Sequence, residues 1–133
     1  METDPTGKGK HEPGAKLDAG KAPISQGVLQ YFPAALKQVA LLSQYGAEKY
    51  TWKGWESVPD GINRYSDAMG RHLLDEEKSF WDDEEGGSGL LHATAVAWNA
   101  LARLELILRT LEEQNVPSYR APGQEVEVDI DDI

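Results

Sequence analysis

The stretch "SFWDDEEGGSGLLH", residues 79–92, sets Asp82, Asp83, Glu84 and Glu85 side by side, then a glycine-rich break, then His92. Carboxylates are hard oxygen ligands, and Mg²⁺ is held by a few of them together with water and substrate phosphate oxygens. A loop running into a helix can converge such groups on one point. It can equally be a solvated acidic loop, and the residues alone leave both readings open.

A second group, Arg64, Asp67, Arg71 and Asp75, recurs at spacings of three and four, so its members share one side of a helix. Opposite charges so spaced stabilise a surface helix by a few tenths of a kcal/mol, which needs no ligand. Alternatively the two guanidinium groups face an anion. The segment "GAKLDAGKAP", residues 14–23, puts glycines beside lysines, but its spacing departs from the phosphate-loop pattern, and Ala22 stands where a metal-binding hydroxyl belongs. Lys16 and Lys21 are left as candidates to fold over an anionic ligand, or as plain solvated cations.

His72 borders an apolar helix face and fits a core-edge histidine with a hydrogen-bond partner. His92, Val96, Asn99 and Arg103 run along one side of a later helix. Polar groups there must meet either a buried network or a ligand, because burying them unpaired is costly. Neither Ser66 nor Ser88 sits in a nucleophile-elbow pattern, so hydrolysis by this chain would use activated water.

These residues belong to a chain of 133 residues, one domain's worth, with 40% hydrophobic and 27% charged residues and a net charge of -10. Asp75–Glu85 alone carries seven acids against Lys78. That balance argues against nucleic-acid binding through a basic face. The absence of cysteine excludes disulfides, thiolate-bound metals and cysteine nucleophiles. No apolar run approaches the roughly 20 residues of a membrane span, and the first residues lack a signal-peptide core. A cytoplasmic protein is expected, without nucleic-acid or membrane partners.

Helical spacing predicts helices over 33–45, from an Asp60 cap to the acidic stretch, and over 89–114 with Ser88 as cap. Gly46 is expected to end the first, and "GAEKYTWKGWESVPDG" to form a short helical turn and an ordered loop. The third, rich in Ala and Leu, would be the centre of the fold. The expected architecture is all-α: a compact helical bundle over 23–116 built around the long third helix, with an N-terminal arm over 1–22 and an acidic tail over 117–133. The arm is extended, either disordered or draped, and the tail alternates Val126, Val128 and Ile130 with acids but has no second strand to pair with.

Taken in order, "KLDAGK" at 16–21, "LKQVALLSQYGAEKY" at 36–50, Trp55, "RYSDAMGRHL" at 64–73 and "SGLLHATAVAWNAL" at 88–101 resemble the dATP/dGTP diphosphohydrolase N-terminal family of bacteriophage nucleotide-metabolism proteins. The resemblance covers about residues 16–108. It implies an all-helical protein similar in logic to MazG-type pyrophosphohydrolases, which use carboxylates and Mg²⁺ to cleave a nucleoside triphosphate to its monophosphate and pyrophosphate. Lys16, Asp18, Gly20 and Lys21 match its first motif, and Gly46, Ala47, Lys49 and Tyr50 the second. Arg64, Tyr65, Ala68, Arg71 and His72 match the third, and Gly89 and His92 the last. The chain departs from the family pattern at Gly87, where an acid is usual, at Ala95, where a second histidine is usual, and in a loop about two residues longer.

From the resemblance we expect a Mg²⁺- (or Mn²⁺-) dependent hydrolase acting on a purine dNTP. Asp82, Asp83, Glu84 and Glu85, with Glu77 as a further candidate, would hold the metal, and Asp83, Glu85 and His92 would carry the catalysis. Lys16, Lys21, Lys49, Tyr50, Trp55, Arg64, Arg71, His72 and Asn99 would surround the substrate, with Tyr50, Trp52 or Trp55 stacking the base. A homo-oligomer is expected. The departures support an alternative, a phage protein that captures a nucleotide or nucleotide signal without cleaving it. An interaction protein acting through its acidic tail is a third.

Overall fold

Three helices carry the fold: α1 (Pro33–Lys49), α2 (Gly61–Glu76) and α3 (His92–Glu113). They are seen in a computed structural model that describes residues 2–133. Met1, the first residue of the expected arm, and the side chain of Asp132 in the tail lie outside the described residues. No strand forms among the described residues, and the chain is all-α. It divides into two units, residues up to Pro33 and residues from Ala34 onward.

The first unit closes on itself rather than running extended. Thr3 and Ala19 form an antiparallel bridge. Asp4 accepts from the backbone N–H of Thr6 at 2.7 Å and of Lys16 at 2.6 Å. These bonds and that from the Thr6 hydroxyl hold the Asp4 carboxyl down at about 2. One turn of helix follows at Ser25–Leu29.

In the second unit α2 and α3 pack along their length. Gly61 lets Leu106 lie close at the start of α2, because a Cβ there would sit 2.9 Å from Leu106 Cδ1 and the leucine side chain would have to shift. From α3, Ala95 and Ala102 enter the interface, 4% and 5% exposed, and His92, Thr94 and Asn99 are buried with them. The buried line on α3 is therefore His92, Ala95, Asn99 and Ala102, two members of which belong to the polar line expected from sequence. Arg103, expected on the same line, is exposed and donates to Ser66 Oγ at 2.7 Å. α1 is tied to α3 and its preceding loop by side chains: Trp98 Nε1 donates to Ser43 Oγ at 3.0 Å, Thr94 Oγ1 to Gln38 Oε1 at 3.4 Å, and the Tyr45 hydroxyl to the Gly86 carbonyl at 2.6 Å.

Three expected boundaries are corrected. α1 passes through Gly46 to Lys49, and Tyr50 N–H closes its last turn on the Gly46 carbonyl at 2.9 Å. A helical glycine costs only about 1 kcal/mol against alanine, too little to end a helix anchored through Tyr45. Asp60 precedes α2 as expected but does not cap it: its backbone is left-handed, with φ 55°, and its carboxylate accepts from Asn63 Nδ2 at 2.9 Å. α3 begins at His92, not 89. Trp81 and Leu91 form an antiparallel bridge, and His92 N–H donates to the Phe80 carbonyl at 2.8 Å, which holds Leu91 extended. Ser88 Oγ accepts from Leu90 N–H at 3.1 Å and so makes a turn instead of a helix cap.

The tail forms no strand. Gln114 at the end of α3 binds it reciprocally, its Oε1 accepting from Asp129 N–H at 2.9 Å and its Nε2 donating to the Asp129 carbonyl at 3.3 Å. A short 3-10 turn at Ile130–Asp132 follows.

Candidate functional site

A cavity of about 930 Å³ opens between the C-terminal half of α1, the Tyr50–Val58 loop, α2 and the middle of α3. Its wall is aromatic. Trp55, Tyr65 and Trp98 meet pairwise edge to face, with ring centroids 6.2, 6.1 and 5.7 Å apart. Such contacts add about 0.5–1.5 kcal/mol per pair beyond burial. Two of the rings are also held by a polar bond. The Tyr65 hydroxyl donates to the Trp55 carbonyl at 2.6 Å, and Trp98 Nε1 is fixed on Ser43. Burial raises the Tyr65 pKa, outweighing the nearby Arg64, so the phenol stays neutral and keeps its proton for Trp55. Behind Trp55, the Arg109 guanidinium lies 5.6 Å from the ring centroid and pairs with Glu56 at 3.3 Å, bracing the 3-10 turn Gly54–Ser57 against α3.

Cations from two directions line the same space: Arg64 and Arg71 from α2, and Lys53 from the loop. The charge-paired helix face allowed by sequence does not form. Among the described residues the ion pairs are Lys21–Glu2, Arg109–Glu56 and Arg109–Glu105, and neither Arg64 nor Arg71 joins one. Arg64 donates to the Pro59 carbonyl at 3.3 Å. The mouth carries Tyr50 and Trp52, 75% and 66% exposed.

Of the expected substrate residues, the cavity thus gathers Tyr50, Trp55, Arg64, Arg71 and Asn99. Lys49 lies nearby, its ammonium 5.4 Å from the Tyr50 ring centroid. Lys16 and Lys21 belong to the first unit, where Lys21 pairs with Glu2 at 3.2 Å. His72 and His92 do not line the cavity. They face each other across α2 and α3, Nδ1 to Nδ1 at 2.9 Å, so one nitrogen must donate and the other accept. Burial lowers the His72 pKa, opposed chiefly by Asp82.

The acidic stretch also stands apart from the cavity lining. It closes through its own backbone: Asp82 N–H donates to the Leu90 carbonyl at 2.7 Å, Gly89 N–H to the Asp82 carbonyl at 2.8 Å, and Ser88 N–H to Asp82 Oδ2 at 3.3 Å. Asp83, Glu84 and Glu85 are exposed. No three His, Asp or Glu side chains among the described residues gather where they could hold one ion, so the acids as they stand do not fit a preformed Mg²⁺ shell. Gly87 is the tight point, because a Cβ there would lie 2.6 Å from Asp82 Oδ1.

Sequence reasoning missed Ser43, Lys53, Tyr65, Asp67 and Trp98 as cavity residues. For two of them there was a signal: Tyr65 adjoins Arg64, and Trp98 adjoins Asn99. No helix among the described residues is long and apolar enough to cross a membrane.

Comparison with known proteins gives this geometry a context. The chain is 37% identical over 84 residues to a dATP/dGTP diphosphohydrolase of Salmonella phage PMBT28, a stretch covering 63% of this chain and 26% of that relative. It therefore spans only about a quarter of the relative's length. No solved structure matches it. The family model described as "dATP/dGTP diphosphohydrolase, N-terminal" matches residues 11–115, the span that contains all three helices and the whole cavity, and the chain belongs to that family.

Proposed function

We propose that this chain binds a purine deoxynucleoside triphosphate in the Trp98 cavity and cleaves it to the monophosphate and pyrophosphate. The observation that carries this reading is one cavity lined both by aromatic rings and by two guanidinium groups that have no carboxylate partner among the described residues. A purine has an apolar, stackable body, and a triphosphate is matched by planar guanidinium donors. Arg64, Arg71 and Lys53 would bind and orient the phosphates, and the ring cluster would hold the base and exclude water. Membership of the family and the name of the phage relative support the reaction class.

Mg²⁺ (or Mn²⁺) dependence is part of this proposal on the strength of the resemblance, Asp83, Glu84 and Glu85 being the exposed carboxylates available. A bound cation would supply charge neutralisation and an acidified water. The protein is also proposed to act as a homo-oligomer. A second copy is the occupant assigned to the leucine stripe Leu101, Leu104 and Leu108, which is exposed on a chain that buries only two apolar side chains of its own among the described residues. A monomeric mass by sedimentation would overturn that.

Capture without cleavage is a second reading. It is favoured by the dispersal of the four acids and by Gly87, which leaves no room for the side chain usual there in the family. Incubation with each dNTP and Mg²⁺ decides between them. Release of pyrophosphate from dATP or dGTP, abolished by a chelator, is the expected outcome. Recovery of intact nucleotide from heat-denatured protein would establish capture, and neither release nor recovery would overturn both.

A further inference from the structure

Asn99 is 6% exposed and lies in the cavity wall beside Trp98. The orientation of its amide is fixed. The carbonyl of Ala95, 2.8 Å away, can only accept, so the group facing it must be the Asn99 Nδ2 amine. Oδ1 is thereby turned the other way and has no protein partner among the described hydrogen bonds. No fully buried side-chain polar atom lacks a partner among the described residues. Oδ1 therefore keeps accessible surface, and its residue lines the cavity. The molecule thus carries, on a residue of the cavity wall, an amide acceptor locked in orientation, in a lining that also holds the Asp67 carboxylate.

An amide free to rotate would interchange its donor and acceptor ends, whereas this one is fixed with Nδ2 towards Ala95 and Oδ1 as its free acceptor. We propose that Asn99 Oδ1 is the specificity determinant for the base, accepting a hydrogen from the adenine 6-amino group or from the N1–H and 2-amino edge of guanine. This rests on the nucleotide reading of the cavity. Both purines carry a donor that one carbonyl can use, so a single locked acceptor admits either. A purine ring with no exocyclic amine and no ring N–H on that edge would cover Oδ1 without giving it a partner. Sites built around a hydrogen bond reject analogues that lack it much more strongly than apolar pockets reject a change of size.

The test compares dATP with the triphosphate of unsubstituted purine deoxyriboside, for cleavage (kcat/KM) and for binding of the α,β-methylene analogues by calorimetry. The wild-type chain should prefer the adenine compound by about 10-fold or more in both measurements. In Asn99→Leu and Asn99→Ser that preference should fall to within about twofold, chiefly through loss of adenine binding. A wild-type preference under twofold overturns the assignment whether or not either variant folds. So does a preference that survives in a folded variant. Discrimination in binding without any cleavage would sink the hydrolase reading and leave Asn99 as the base reader, whereas no binding of either analogue overturns both.

Discussion

In the cavity, a ring from the Gly54–Ser57 turn, one from α2 and one from α3 meet although they are ten and 33 residues apart in sequence; the Tyr65 and Trp98 rings are fixed by a bond to another element and the Trp55 ring is backed by Arg109. The acidic loop is made differently. Its bonds run from Phe80 to His92 and from Asp82 to Ser88, Gly89 and Leu90, almost all within a dozen residues. The cavity uses the fold to hold side chains with their functional groups open, while the loop spends its one half-buried carboxylate on its own shape. Recognition is therefore prebuilt in one region, and the other offers exposed charge without convergence.

The largest expected effect tests the cavity. Replacing both Arg64 and Arg71 with Ala should weaken binding of a non-hydrolysable dGTP analogue by at least ~100-fold, since each charge-assisted hydrogen bond contributes about 1.5–3 kcal/mol. Calorimetry measures it, with far-UV circular dichroism unchanged because neither arginine joins an ion pair among the described residues. A loss below threefold would break the contrast between the two regions and shift attention to the loop.

Next comes the loop's tight point. Gly87→Ala would drive a Cβ against the Asp82 backbone and carboxylate, and overpacking of this kind costs about 1–3 kcal/mol. Thermal unfolding should register the loss, while nucleotide affinity changes less than threefold because the loop is separate from the cavity lining. Gly87→Glu, which restores the acid usual in the family, should be no better tolerated.

The same contrast explains what the sequence made legible. The start and course of α2 were readable, because Ile62, Tyr65 and Met69 repeat at helical spacing after Asp60, although Asp60 does not cap it and its end was given only as the acidic stretch. α3 was misplaced by three residues at its start, since the Trp81–Leu91 bridge depends on a partner ten positions away. Arg64 and Arg71 were identified, but whether they were paired with Asp67 and Asp75 was a matter of rotamers and neighbours that spacing cannot encode. Trp98 went unnoticed as a cavity residue because its role depends on Ser43, Trp55 and Tyr65 arriving from elsewhere in the chain. The histidine pair was hidden for the same reason, two residues 20 apart in sequence being brought to 2.9 Å only by the α2–α3 packing.

That pair gives a pH signature between the two regions. Burial lowers the His72 pKa from its ordinary 6.5, with Asp82 and Asp75 opposing and His92 and Arg71 reinforcing the shift. The folded state thus prefers the neutral ring. Above pH 6.5 both folded and unfolded chains carry it neutral and the contribution is complete; as pH falls below 6.5 the unfolded chain takes up the proton first and stability declines towards the folded pKa. Urea unfolding from pH 8 to 5 should show that decline, and His72→Gln should flatten it. An equal slope in the variant would assign the limb to other groups.

The smallest effects are expected at the acids that looked most chemical in the sequence. Asp83, Glu84 and Glu85 are exposed, and none accepts a side-chain hydrogen bond or ion pair among the described residues. Asp83→Asn, Glu84→Gln and Glu85→Gln should each change unfolding free energy by less than ~0.5 kcal/mol, as surface substitutions away from structural features do. Binding of the methylene analogue without metal should stay within twofold of wild type. Asp82→Asn is the internal control, because its Oδ2 receives Ser88 N–H and its charge faces His72, so it should cost more than its three neighbours. Were Asp83 or Glu85 to cost as much as Asp82, the acids would be built into the fold after all, and the division between a prebuilt cavity and an unconverged loop would fail.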